Sequence, residues 1–241
     1  MTALRSAIFL VLAVAVTIPF GIAVPLGGLF GYRAGCAVAK LYAWCVIWLA
    51  RLCCGIRWTV EGWENLPDRP SVLMAKHQSA WETVFMQATF PPQCWIVKKQ
   101  LLWLPFVGWG LMGIRAIPID RSSGKSARDQ IVETGARRMA QGMWVSIFPE
   151  GTRIPVGQRG RYGQGGALLA TKTGAPVVPI AHNAGEYWGR YAFRKHPGTV
   201  RVVIGKPIPT QGREAASVNA ELENWIEGQM RKLNPERYAD P

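Results

Sequence analysis

Val72-Leu73-Met74-Ala75-Lys76-His77-Gln78-Ser79-Ala80-Trp81-Glu82 runs from a short apolar stretch, through a polar turn, into the start of a helix at Trp81–Thr89. An apolar run bounded by polar residues suits a buried strand, and the change of period after it marks a strand–loop–helix unit. The same alternation recurs outward from this segment. Strands are expected at Trp58–Glu61, Val72–Ala75, Cys94–Val97, Ala116–Ile119, Trp144–Phe148, Val177–Ala181 and Val200–Ile204. Helices are expected at Trp81–Thr89, Ser126–Gln141, Gly166–Thr173 and Ala215–Leu233. Strands alternating with helices predict an α/β fold: a mostly parallel, mixed sheet flanked by helices. Ligands on such sheets gather at strand ends, and the chemically dense segments of this chain fall there.

Upstream, no charged side chain occurs from Ser6 to Tyr32, a run longer than the ~20 residues that span a bilayer. After Arg33 and Lys40 a second uncharged stretch covers Leu41–Ala50. The pair predicts an apolar helical hairpin for membrane attachment over residues 1–55, followed by the α/β domain over 56–241. Pro19, Pro25 and the Gly27–Gly28 pair are expected to kink or interrupt the first helix. A spanning helix and one lying in a single leaflet both satisfy this pattern. A cleaved signal peptide, with Arg5 as its charged start and Ile8–Val16 as its apolar region, fits less well, because the apolar character continues far beyond it. Arg33, Lys40, Arg51 and Arg57 follow the apolar segment, which places the α/β domain on the cytoplasmic side of the inner membrane.

Lys and Arg number 28 against 15 Asp and Glu, a formal charge of +13, so natural partners are anionic: nucleic acid, acidic headgroups or phosphorylated substrates. Trp44, Trp48, Trp58 and Trp63 cluster in the first quarter, favouring a membrane interface over nucleic acid. Between Gly151 and Thr210 nine basic residues (Arg153, Arg159, Arg161, Lys172, Arg190, Arg194, Lys195, Arg201, Lys206) face one acid, Glu186, which suits an anionic membrane surface. Cys36, Cys45, Cys53, Cys54 and Cys94 contain no CxxC pair and read as reduced thiols. The scattered histidines offer no metal-ligand spacing.

His77 is a candidate general base, since imidazole titrates near neutral pH. Glu82 can hold its ring, provided His77 lies in the loop and Glu82 in the first turn of the helix, because five residues apart on one helix they face different ways. Ser79-x-x-Glu82 is also a capping box, and on spacing alone the two roles of Glu82 are equal. A second dense segment is Ile117-Pro118-Ile119-Asp120-Arg121, and a third is Phe148-Pro149-Glu150-Gly151-Thr152-Arg153. Arg121 and Arg153 can grip a phosphate with forked hydrogen bonds. Gly151 fits either a close ligand approach or a turn with positive φ. Lys98 and Lys99 add phosphate contacts or are simply solvated. His182 and His196 receive no role.

In order and spacing these segments, with Val178-Pro179-Ile180, resemble the glycerolipid acyltransferases, the family of bacterial lysophosphatidic acid acyltransferases. That family's pattern is His-x-x-x-x-Asp, a strand-end arginine block, Phe-Pro-Glu-Gly-Thr-Arg-Ser and Val-Pro-Ile. The resemblance covers about Val72–Asn183. It implies a membrane enzyme moving a fatty acyl group from acyl-CoA or an acyl carrier protein to the hydroxyl of lysophosphatidic acid, giving phosphatidic acid without metal or cofactor. It implies His77 as base, Glu82 as its orienting partner, and an acceptor site from Arg121, Glu150, Gly151, Thr152 and Arg153, with Lys98 and Lys99. Two positions depart from the pattern: Glu82 replaces Asp and is one methylene longer, and Ile154 replaces Ser. Alternatives are another acceptor (glycerol 3-phosphate or lyso-ornithine lipid), a hydrolase, which the missing Gly-x-Ser-x-Gly elbow disfavours, and a non-enzymatic basic membrane-binding protein.

Overall fold

Side chains of β2 (Val72–Ala75) alternate between two cores: Leu73 and Ala75 enter one, Val72 and Met74 the other. A strand buried on both faces needs a helical layer on each side. The computed structural model describes residues 1–238, and only the backbone at Arg121. Its sheet runs in the order β1 (Ile56–Glu61), β7 (Gly198–Ile204), β6 (Val177–His182), β2, β5 (Trp144–Ile147), β3 (Gln93–Lys98), β4 (Ile117–Ile119). All neighbouring pairs are parallel except β6 with β7.

One core lies beneath α1 (Thr2–Leu29), α2 (Tyr32–Cys54) and α3 (Trp81–Thr89), with Phe9, Ile47 and Trp81 buried in it. The other lies beneath α5 (Lys125–Ala140), α6 (Gly165–Thr173) and α8 (Ala215–Leu233), through Ile131, Leu169 and Leu222. Each expected strand and helix of the α/β part is present with ends within two residues of the sequence reading. Strand ends moved where polar residues such as Gln93 and Lys98 join the backbone ladder, which composition does not show. Two short helices, α4 (Val107–Gly113) and α7 (Ala184–Tyr187), were not expected.

The expected pair of apolar N-terminal helices is present, and only the expected interruption of the first is overturned. α1 is not interrupted: it runs unbroken through Pro19 and Pro25 and ends only at Leu29. Each proline removes one donor from a helix that neighbours otherwise hold. Gly21 lies so close to Phe106 that an added Cβ would sit 2.4 Å from its Cβ, and Gly113 of α4 meets the Pro25 backbone at 2.7 Å on the same test. These glycines allow backbones to touch, which fixes α1 against α4. α2 extends well beyond Leu41–Ala50, taking in Arg33 and Lys40, and stops at Gly55 in the left-handed region.

The first turns of α1 are tied down as well. Arg5 Nε donates to the Cys53 carbonyl at 2.7 Å, and Phe9 meets Trp188 edge-on at 5.1 Å. α1 therefore lies along the α/β body, with Leu4, Ile8, Val11, Ile18, Ile22 and Leu26 turned outward. By length and composition both α1 and α2 could cross a membrane.

Candidate active site

Because β2, β3, β4, β5 and β6 run parallel, their C-terminal ends share one edge of the sheet. After β2 the chain turns through Lys76–Ala80 before α3 begins, which puts His77 in the loop and Glu82 in the first helical turn. His77 Nδ1 lies 2.8 Å from Glu82 Oε1. The same oxygen accepts the backbone N–H groups of Gln78 at 3.0 Å and Ser79 at 2.9 Å. The two roles weighed for Glu82 thus fall on one atom: it caps the helix start and orients the imidazole. The His77 ring stacks on Phe148, with centroids 3.8 Å apart and planes within 7°.

Glu82 is buried, which alone would push its carboxyl up, but positive neighbours and donors outweigh this and hold it low. Of those, the charge of His182 counts least here. His182 is itself held neutral by burial, so the hydrogen bonds from His77 and the Ser79 amide carry the effect. With Glu82 ionised, Nδ1 of His77 keeps its proton, and Nε2 is left as a proton acceptor.

Beneath the loop is a buried ionic cluster. Lys76 Nζ lies 2.8 Å from Glu150 Oε1 and 2.7 Å from Glu227 Oε1 of α8. Tyr162 donates its hydroxyl to that same Glu227 oxygen at 2.8 Å. Glu150 Oε2 accepts the His77 backbone N–H at 2.8 Å. Burial alone would pull Lys76 down, but the two carboxylates overcompensate and hold it above the usual lysine range. Burial pushes Glu150 up to about 7 despite Lys76 and the His77 amide, with Glu227 adding to the rise. The two directions are compatible. One ammonium faces two carboxylates, and Glu150, the more deeply buried, relieves the excess negative charge.

A cavity of about 340 Å³ opens beside His77 and Phe148 and runs between α1, α2, α3 and α4. Phe20, Val24, Ala43, Val84, Leu111 and Ile114 are among its walls, while Arg153 and Lys98 supply positive charge to its lining. Arg153 Nε donates to the Ser79 carbonyl at 2.9 Å, and Ile154, where the family pattern has Ser, donates its backbone N–H to the His77 carbonyl at 2.7 Å. The segments around His77 and Phe148 are thereby locked together.

The other residues singled out in the sequence are placed less centrally. Glu150 turns both oxygens inward, to Lys76 and the His77 amide, so it supports the loop instead of facing the cavity. Gly151 has φ +67° in a turn closed by its N–H to the Phe148 carbonyl, the conformation that favours glycine. Thr152 is exposed. Lys99 is half exposed and 3.6 Å from Asp120. Arg121 opens the 3₁₀ turn after β4, on the same sheet edge, and its side chain lies outside the described residues.

The profile of the Acyltransferase family matches residues 57–183, more than half of the chain. The chain belongs to the acyltransferase family. The 1-acyl-sn-glycerol-3-phosphate acyltransferase of Pseudomonas aeruginosa is 45% identical to it over 205 residues, covering 82% of this chain and 80% of that one. The human 1-acyl-sn-glycerol-3-phosphate acyltransferase beta is 30% identical over 69% of this chain and 61% of its own length. The crystal structure of the 1-acyl-sn-glycerophosphate acyltransferase PlsC from Thermotoga maritima has the same fold. Its TM-score is 0.82 at 20% identity, over 97% of this chain and 96% of that one.

In this acyltransferase several residues around the site carried little sequence signal. Lys76 adjoins His77 and could have been suspected. Glu227 and Tyr162 lie far along the chain with no motif around them. Phe148 opens the third dense segment with no role of its own expected, yet its ring stacks on the imidazole. His182, which received no role, is buried with Nε2 donating to the Lys76 carbonyl at 2.8 Å, and so braces the loop from behind.

Proposed function

We propose that this acyltransferase moves a fatty acyl group from acyl-CoA or an acyl carrier protein to the free hydroxyl of 1-acylglycerol 3-phosphate, giving phosphatidic acid. One observation carries this reading: a carboxylate-held imidazole in the wall of an open apolar cavity, with Arg153 and Lys98 in the same lining. His77 Nε2 takes the hydroxyl proton as that oxygen attacks the thioester carbonyl. The carbon–sulfur bond then breaks, and the proton goes to the departing thiolate. Such a positioned base contributes roughly 10²–10⁴-fold. Glu82 fixes the tautomer and stabilises the imidazolium formed along the way.

Arg153, Lys98 and Arg121 hold the acceptor phosphate, which does not react but fixes the hydroxyl beside the base, where orientation is worth up to ~7–11 kcal/mol. The cavity receives the apolar acyl chain. Gly151, Thr152 and Lys99 border the acceptor, and Glu150 acts through the loop it supports. Residues 1–55 attach the enzyme to the cytoplasmic face of the inner membrane, and residues 56–241 form the acyltransferase domain. α1 lies within one leaflet, because its first turns and its far end are both fastened to the α/β body.

The test is acyl transfer from labelled thioester to lysophosphatidic acid in mixed micelles. Wild type is expected to make phosphatidic acid and His77→Ala to lose that activity by several orders of magnitude. Transfer to lyso-ornithine lipid but not to lysophosphatidic acid would sink the acceptor assignment alone. Full activity in His77→Ala would sink the mechanism.

A further inference from the structure

Between α7 and β7 the chain passes through Gly189-Arg190-Tyr191-Ala192-Phe193-Arg194-Lys195-His196, beside the first turns of α1. Lys195 fastens this loop. It is only 5% exposed; its backbone N–H donates to Ser6 Oγ of α1 at 2.9 Å, and its Nζ donates to the carbonyls of Phe193 at 2.9 Å and Ala192 at 3.3 Å. The same ammonium faces the rings of Trp188, Phe9 and Phe193 at 5.2, 5.7 and 5.8 Å. Around this fixed point the aromatic tips point out: Tyr191 is 80% exposed and Phe193 50%.

Tyr191 also has φ +56°, a conformation that non-glycine residues avoid unless their surroundings impose it. A loop held at Lys195 that presents two rings to water at the expense of backbone strain is unfavourable unless something apolar receives them. Arg190, with its guanidinium 5.0 Å from the Tyr191 ring, and Arg194 flank the pair. From Tyr187 to Arg213 the chain has no acidic residue, and among the described residues neither arginine has a carboxylate partner.

We propose that Arg190–Arg194 is a membrane-contact element whose two rings enter the headgroup region of an anionic leaflet beside the first turns of α1. This rests on the reading of α1 as the membrane attachment. Aromatic rings with flanking arginines match the chemistry of that interface. The loop packs on Ser6 and Phe9 at the same end of α1 that turns Leu4, Ile8 and Val11 outward, so both exposed apolar groups lie at one end of that helix. An acidic carrier protein is the other partner such charge could attract, but the loop is badly placed for it. The cavity reaches α1 at Thr17–Val24, and Ser6 lies about 22 Å along the helix from Gly21 at 1.5 Å per residue. The loop gives the domain a second point of contact and so fixes its tilt on the membrane.

The test places a photoactivatable benzophenone side chain at Tyr191, at Phe193, at Val11 on the outer face of α1, and at exposed Gln211, in the full chain bound to phosphatidylglycerol-containing vesicles. Lipid adducts at 191, 193 and 11 but not at 211 are expected. Adducts at 11 without any at 191 or 193 would overturn the proposal and leave the membrane reading of α1 intact. No adduct at any position would remove the membrane reading itself, and the proposal with it. Crosslinking of 191 or 193 to a protein in place of lipid would also overturn it. In parallel, Tyr191→Ser/Phe193→Ser is expected to keep its rate on detergent-micelle substrate within twofold and to lose at least fivefold on vesicle-embedded substrate. Equal rates in both would count against the loop.

Discussion

Three donors converge on a single oxygen of Glu82, so the length of that side chain is a geometric requirement as well as a chemical one. Glu82→Asp, although it restores the family's residue type, pulls the carboxylate back by one methylene on a backbone set for Glu. A misplacement of about 1 Å can cost a factor of 10². Acyl transfer by Glu82→Asp is expected to fall ten- to a hundredfold. Glu82→Gln, which keeps the reach but removes the charge that stabilises imidazolium, should fall further, towards about 10⁴. Steady-state rates of the two variants check the order, and a more active Gln variant would contradict it. Glu150 makes a separate prediction. Its carboxyl is raised to about 7 in the folded protein against about 4.3 in an unfolded chain. Between those values the folded state binds more protons than the unfolded one, so stability falls as pH rises through roughly 4.3 to 7. Denaturation midpoints should carry this slope in wild type, at most ~1.4 kcal/mol per pH unit, and lose it in Glu150→Gln. Sequence spacing made the His77–Glu82 pair legible because both partners lie within one short unit. It could not reveal that Glu150 faces inward, since one of its partners is a lysine valued only as a neighbour of His77 and the other charge in the cluster is distant Glu227.

α8 reaches the His77 loop through that cluster. Glu227, which accepts the Tyr162 hydroxyl, holds Lys76, which holds Glu150, which receives the His77 amide. Lys76→Met keeps the volume but leaves two buried carboxylates facing each other without a cation. Breaking a buried pair in this way typically costs about 3–5 kcal/mol. Chemical denaturation in detergent is expected to show a loss of that order, with much of it recovered in Lys76→Met/Glu150→Gln/Glu227→Gln, where no uncompensated charge remains. A triple variant no more stable than Lys76→Met would show that packing, not charge, holds the cluster. Elements were legible where apolar period and polar turns agreed, as at Val72–Ala75 and Ala215–Leu233, both placed with the same bounds by sequence and structure. They were illegible where tertiary contact overrides local preference. α4 is a glycine-rich Val107-Gly-Trp-Gly-Leu-Met-Gly113 that no propensity favours, and it forms against α1. α1 itself tolerates two prolines because its neighbours hold the helix on both sides of them.

At the scale of the molecule, the N-terminal helices and the candidate site are not separate parts. Phe9, Val24, Ala43 and Ile47 of the N-terminal helices share one core with Leu73, Trp81 and Val178 of the α/β domain, and the cavity beside His77 has α1 and α2 among its walls. The hairpin expected from hydropathy therefore also shapes the cavity beside His77, a role that no run of apolar residues announces. Ala43 shows the consequence. It is fully buried and lines the cavity from α2. Ala43→Phe inserts a ring into about 340 Å³ and leaves His77, Glu82 and Arg153 unchanged in sequence. Each methylene of the donor that no longer fits loses about 0.8 kcal/mol, close to fourfold in affinity. Donors short enough to avoid the ring should keep their rate, and longer ones should lose kcat/KM in steps of that size with each added methylene. A donor series compared between wild type and Ala43→Phe reads this directly. A uniform loss at all lengths would mean that the ring disturbs packing between α2 and α3, whereas an unchanged profile would place the acyl chain outside this cavity.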